Sequence, residues 1–223
     1  MPGWIGERID AVIFDHDGTL VDSEHITLAV VAEMAIEAGA AVYPEDADRF
    51  VGADLHLVIA EIGKRAGSPI DTEAFMAEFR VRQTAAIEAG LQEIPGASEL
   101  IDALATRRIP YAVASNAPLA KMSLCLGATG LLDKFEPEML ISAYDVNAWK
   151  PDPAVFLAAA ERLGVDPGRC AVVEDSKPGI DGALAAGMHV IALDPQSRCT
   201  DPQTTSVATL TEAQSLLLGS EAP

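Results

Sequence analysis

Five short runs constrain this chain most: AVIFD (11–15), YAVAS (111–115), MLISA (139–143), CAVVED (170–175) and HVIAL (189–193). All but the third are almost continuously apolar, as strands covered on both faces must be. Longer stretches of helical character separate them, and no internal repeat is present. Strands alternating with helices in this way read as an α/β fold, a Rossmann-like three-layer core built on a parallel sheet. Four of the five runs lead directly into a polar or charged residue at the carboxyl end. In open parallel sheets the ligand crevice lies outside those ends.

Between the first run and the second the pattern changes. SEHITLAVVAEMAIEAGA has helical periodicity with Ser23 as its N-cap. DLHLVIAEIGKRAG and DTEAFMAEFRVRQTAAIEAG are also helical, the latter capped by Asp71 or Thr72. Each ends near a glycine, a common helix stop, and no strand interrupts them. The reading is an all-helical cap domain over 22–94, inserted into a core of 1–21 and 95–223. EIPGASEL re-enters the α/β pattern through a Pro-Gly turn. After Leu193, DPQSRCTDPQTTS reads as loop, and VATLTEAQSLLL as a short strand with a closing helix.

Charge and cysteine usage narrow the classes of function. With a formal net charge of -19 and 49% hydrophobic residues, the chain has ample material for a core and an acidic surface. Nucleic acid and anionic membranes are disfavoured partners. An anionic small molecule is not excluded, provided a metal, a lysine and backbone N–H groups build its site locally. Cys125, Cys170 and Cys199 are widely spaced and form no CxxC, which argues against a disulfide framework or a zinc site. The opening MPGWIGERID lacks a long apolar stretch with a basic flank, and no run is long enough to span a membrane. A cytoplasmic location is the expectation.

The chemistry concentrates in four places. In VIFDHDGTLVDSE, Asp15, Asp17 and Asp22 fall within eight residues at the end of the first strand. Carboxylates so close repel unless a cation lies among them. Strand alternation lets Asp15 and Asp17 face one crevice. Gly18 permits a sharp turn and Thr19 holds it locally. Hard oxygen ligands suit Mg²⁺, although an isolated DxD more often merely faces water. VVEDS delivers Glu174 and Asp175 at the end of another buried strand, where Asp175 or Ser176 is equally a plain helix cap. AVASN delivers Ser115 and Asn116, and NAWKPDP places Lys150 before two prolines that stiffen the backbone.

Taken in order, DHDGTLVDSE, SN, KPDP and EDSKPGI resemble the four motifs of the haloacid dehalogenase superfamily, over nearly the whole chain. The insert position resembles the helical-cap subgroup that includes β-phosphoglucomutase and many sugar-phosphate phosphatases. SNAPLAKM, AYDVNAWKPDP and EDSKPGIDGALAAGM are more narrowly similar to 6-phosphogluconate phosphatases. The resemblance implies a Mg²⁺-dependent phosphatase acting on a small phosphorylated metabolite, with a cap that closes over the substrate. Asp15 would be the nucleophile that forms an aspartyl-phosphate. Mg²⁺ would lie between Asp15, the backbone carbonyl of Asp17 and Asp175. Glu174 would be a further ligand or would act through water. Asp17 would protonate the leaving alcohol and then activate water. Lys150 would offset the clustered negative charge, and Ser115 and the N–H of Asn116 would hold phosphoryl oxygens.

Departures from the pattern separate the competing chemistries. Asp17 argues against a dehalogenase. The residues after Gly52 are Ala53, Asp54, Leu55 and His56, without the cap lysine of phosphonatases. Leu55 stands where a β-phosphoglucomutase carries an arginine, so a mutase is disfavoured unless Arg49 or Lys64 substitutes. A non-catalytic binding relative remains a different class. His16 is expected to pack, pointing away from the crevice, Asp22 to serve as a hinge or cap, and Lys121 to be a surface lysine unless it reaches a substrate anion from the helix after the second motif. His25 and His56 are expected on insert helices, exposed or turned to the site.

Overall fold

The computed structural model describes residues 9–43, 46 and 55–219. Arg49, Gly52, Ala53 and Asp54, named above, lie outside the described residues. The chain divides into two compact units, one formed by the residues up to Asp22 and from Gln92 on, the other by Ser23–Leu91.

The first unit is a six-stranded parallel sheet with the order β3-β2-β1-β4-β5-β6. Its strands are β1 (Ala11–Phe14), β2 (Tyr111–Ser115), β3 (Leu140–Ser142), β4 (Cys170–Glu174), β5 (His189–Leu193) and β6 (Thr204–Val207). All four residues of β1 are fully buried, which explains its unbroken apolar sequence. Alternate residues supply opposite faces. Ala11, Ile13, Ala112, Ala114, Val172 and Val190 share one core cluster with Val155, Phe156, Ile180 and Ala183. The last four come from two helices, Ala154–Leu163 and Lys177–Ala185. The C-terminal helix Leu210–Leu218 packs on β5, β6 and the helix Ala97–Thr106.

The sequence reading placed 194–206 in a loop and began a short strand at Val207, whereas β6 begins three residues earlier, at Thr204. The strand TTSV has buried ends at Thr204 and Val207 and a more exposed middle. It is an edge strand, hydrogen-bonded to β5 alone. An edge tolerates polar β-branched residues, so no apolar run announced it.

The second unit is helical: Glu24–Glu37, Leu55–Ala66 and Thr72–Gly90. Val30, Val31, Met34, Ile59, Ile62, Phe75 and Phe79 form its own core. Asp71 caps the third helix by accepting the Ala74 N–H at 3.0 Å. Ser23 occupies the N-cap position of the first, but its side chain makes no capping bond. No helix is long and apolar enough to cross a membrane among the described residues.

Candidate active site

The strand order places β1 where the connections reverse direction. β2 and β3 lie on one side, β4 to β6 on the other. This switch point is where open α/β sheets form a crevice. Asp15 is the first residue beyond β1, and its N–H donates to the Val173 carbonyl at 2.9 Å. Because the strands are parallel, β2 brings Ser115 and Asn116 to the same edge, and β4 brings Glu174 and Asp175.

Asp15, Glu174 and Asp175 each offer a carboxylate oxygen, and these lie within 4.8 Å of one another. The Lys150 ammonium enters from the β3-to-helix loop, donating to Asp15 Oδ1 and to Glu174 Oε2, the latter at 2.7 Å. Its nitrogen also lies 4.8 Å from the Phe156 ring centroid, a favourable cation–π placement. Glu174 is fully buried. Its Oε1 accepts from Ser176 N at 3.0 Å and from Ser176 Oγ at 2.8 Å. Ser176 in turn caps the following helix by accepting the Gly179 N–H at 3.1 Å.

Two glycines are explained by these carboxylates. Gly18 has φ +81, a region that favours glycine, and a Cβ there would overlap the Asp175 carboxylate. A Cβ on Gly179 would overlap the Glu174 carboxylate. Thr19 is fully buried and donates its hydroxyl to Asp175 Oδ1 at 3.0 Å.

On the β2 side, Ser115 is buried and its Oγ accepts from Ala117 N at 3.0 Å. Ser142 Oγ donates to the Ala117 carbonyl at 2.7 Å, tying the end of β3 to the same turn. The Asn116 side chain has a role that sequence did not reveal. Its Oδ1 accepts the backbone N–H of Lys150 at 2.9 Å and so fastens the lysine loop to β2.

Lys121 departs from its expectation as a surface residue. It lies in the first turn of the helix Leu119–Ala128, and its ammonium donates to Asp17 Oδ1 at 2.8 Å. His16 packs as expected but does not turn away from Asp17. It is fully buried, and its Nδ1 lies 3.3 Å from Asp17 Oδ1. Alternation holds only within a strand, and β1 has already ended at Phe14. Asp22 closes the first segment of the sheet unit, its N–H donating to the Gln92 carbonyl at 3.0 Å. His25 and His56 are exposed on helices of the second unit.

The electrostatics follow from these contacts. Burial and the neighbouring Glu174 push the Asp15 carboxyl up to about 8, against the opposing pull of Lys150. Burial also works against charge on Lys150, but Asp15 and Glu174 outweigh it and keep the ammonium above its ordinary range. Within the cluster the carboxylates outnumber the ammonium three to one. Burial raises Asp17 too, but His16 and Lys121 more than offset it. Its carboxyl is held well below the usual carboxylate range.

This donor set fits a hard divalent cation. It is all oxygen, it carries excess negative charge, and the bare Gly18 leaves room against Asp175. Asp15 and Asp175 are the side chains that would hold such an ion. The Glu174 oxygens already serve Lys150 and Ser176.

A family model described as haloacid dehalogenase-like hydrolase matches residues 9–187, which include every residue of this cluster. The chain belongs to that family. A similar hydrolase is the 6-phosphogluconate phosphatase of Escherichia coli, 35% identical over 196 residues, covering 87% of this chain and 85% of that protein. Hexitol phosphatase A of the same organism is 32% identical over 189 residues, covering 84% of each chain. Among solved structures, a HAD family hydrolase from Deinococcus radiodurans with bound phosphate and sodium superposes with a TM-score of 0.77. It is 30% identical and covers 95% of this chain and 99% of that one.

Proposed function

We propose that this hydrolase is a Mg²⁺-dependent phosphatase of small phosphorylated metabolites, sugar or sugar-acid phosphates, and that it works through an aspartyl-phosphate on Asp15. The observation that carries the reading is the cluster of Asp15, Glu174 and Asp175 at the switch point of the sheet, the first two buried and engaged by Lys150. The substrate class is supported by the related phosphatases, and the affinity for a phosphoryl group by the bound phosphate of the Deinococcus structure.

When bound, Mg²⁺ supplies the positive charge that lets an anionic nucleophile meet an anionic phosphoryl group. The protein's own residues do the rest. An Asp15 oxygen forms a bond to phosphorus while the bond from phosphorus to the leaving oxygen breaks. Asp17 gives that oxygen a proton. Water then attacks the phosphorus of the aspartyl-phosphate, Asp17 takes up its proton, and the Asp15 carboxylate is regenerated. His16 and Lys121 keep Asp17 ionised before substrate enters, the form that can take up a proton in the second step. For the first, the phosphoryl charge arriving beside it opposes ionisation and favours the acid form. Ser115 and the N–H of Asn116 are assigned to the phosphoryl oxygens. Lys150 holds the Asp15 carboxylate in place.

The test is phosphate release from a panel of sugar phosphates, 6-phosphogluconate, phosphoglycolate and nucleotides, with Mg²⁺ or with EDTA, beside Asp15→Asn. The expected result is metal-dependent release from sugar or sugar-acid phosphates that the variant lacks. Undiminished release by Asp15→Asn would overturn the reading.

A further inference from the structure

The two buried or half-buried lysines of the sheet unit's carboxyl edge divide the aspartates between them. Lys150 engages Asp15 and Glu174. Lys121, from a different element 104 residues away from its partner in sequence, engages Asp17. Both Lys121 Nζ and His16 Nδ1 approach the same oxygen, Oδ1. The main chain beneath Asp17 is already fixed. Gly18 N donates to Val21 O at 2.9 Å, and Leu20 N donates to His16 O at 3.0 Å. The Asp17 side chain, by contrast, is 27% exposed. A partly hydrated carboxylate samples rotamers that a proton-transfer geometry cannot use, and small misplacements of a reacting group are expensive in rate.

We propose that Lys121 is a positioning residue: its ammonium grips one oxygen of Asp17 and sets the plane in which that carboxyl meets the leaving-group oxygen. The inference rests on the reading of Asp17 as the proton donor to the leaving group. Its span is short. Lys121 lies in the first turn of its helix, where Lys121 N donates to the Pro118 carbonyl at 2.9 Å, so the ammonium is anchored near a fixed backbone. Its side chain is 26% exposed, well below that of a surface lysine such as Lys64 at 82%. A point charge on a four-carbon stem needs no bidentate geometry to hold one oxygen.

The leaving group provides a readout that general structural damage would not give. A sugar alkoxide leaves only with a proton, whereas a nitrophenolate leaves without one. The value of kcat/KM reports the first irreversible step, formation of the phospho-enzyme. For Lys121→Met, kcat/KM for a sugar phosphate is expected to fall about tenfold, part of the range spanned by general acid catalysis. For nitrophenyl phosphate it is expected to stay within about twofold, because no proton is needed there. Lys121→Arg is expected to restore most of the loss, and Lys121→Gln serves if the methionine variant does not fold. Equal losses on both substrates, or no loss on the sugar phosphate, would overturn the proposal. Asp17→Asn separates the layers. If it discriminates between the substrates and Lys121→Met does not, the positioning role alone fails. If Asp17→Asn does not discriminate, the assignment of Asp17 fails and the inference goes with it.

Discussion

Gly179→Ala is a substitution whose sign depends on the site. In an ordinary helix interior, replacing glycine with alanine stabilises by about 1 kcal/mol. Gly179 lies in the helix Lys177–Ala185, where that gain would be expected. Here the new Cβ would fall on the carboxyl group of Glu174. That group is fully buried and accepts from Lys150 at 2.7 Å and from Ser176 at 2.8 and 3.0 Å. To make room, Glu174 must abandon the ammonium or the helix must shift. Breaking a buried, hydrogen-bonded ion pair costs about 3–5 kcal/mol, so the net loss after the helix gain is about 2–4 kcal/mol. For a chain of this size about 3 kcal/mol corresponds to a drop of roughly 6–12 °C in Tm. A thermal melt of the metal-free protein reads this directly, and phosphate release should fall in parallel because Lys150 loses one of its two anchors. A variant as stable as the parent, with undiminished turnover, would show that the Glu174 carboxylate does not occupy the space against Gly179.

Other substitutions probe neighbouring contacts. Thr19→Val removes the hydroxyl that donates to Asp175 Oδ1. Mg²⁺ affinity by calorimetry should weaken by about 10-fold or more, and unchanged affinity would sink the idea that Thr19 orients a ligand. Lys150→Met leaves Asp15 and Glu174 without their ammonium. It should lower stability by about 3–5 kcal/mol in chemical denaturation and abolish turnover. Burial pushes the thiol of Cys125 up to about 12 and that of Cys170 up to about 11. Both should resist alkylation in the native protein from pH 7 to about 9, and rapid modification there would contradict their burial. The sign for stability follows. These thiols stay protonated when folded but ionise near 9 when unfolded, so stability should decline as pH rises from about 9 toward 11–12.

Much of this was legible in the sequence where the physics is local. Strands β1, β2, β4 and β5 declared themselves because burial on both faces demands unbroken apolar runs. Asp15, Ser115, Glu174 and Asp175 could be placed together because each ends or directly follows a strand, and parallel strands end together. Lys150, which lies beyond β3 and a short helix, was read from its motif alone. What failed to show was set by distant pairing or by solvent. β6 is an edge strand whose first three residues, Thr204, Thr205 and Ser206, looked like loop, so the strand was read only from Val207. Lys121 looked like any exposed helix lysine, since its partner lies 104 residues away. His16 broke the alternation rule because the chain leaves the sheet one residue before Asp15. The Asn116 side chain was read only for its N–H, and its grip on the lysine loop depends on how that loop returns to β2. Gly179 carried no signal at all until the Glu174 carboxylate was seen against it.

The central claim is covalent phosphoryl transfer to Asp15. Its most direct test is acid quench of the Mg²⁺-loaded enzyme during turnover of a sugar phosphate labelled in its phosphoryl group, followed by peptide mapping. The account predicts acid-stable label on the peptide that contains Asp15, absent in EDTA and absent in Asp15→Asn. Steady turnover by Asp15→Asn, or label that maps to a residue elsewhere in the chain, would contradict it.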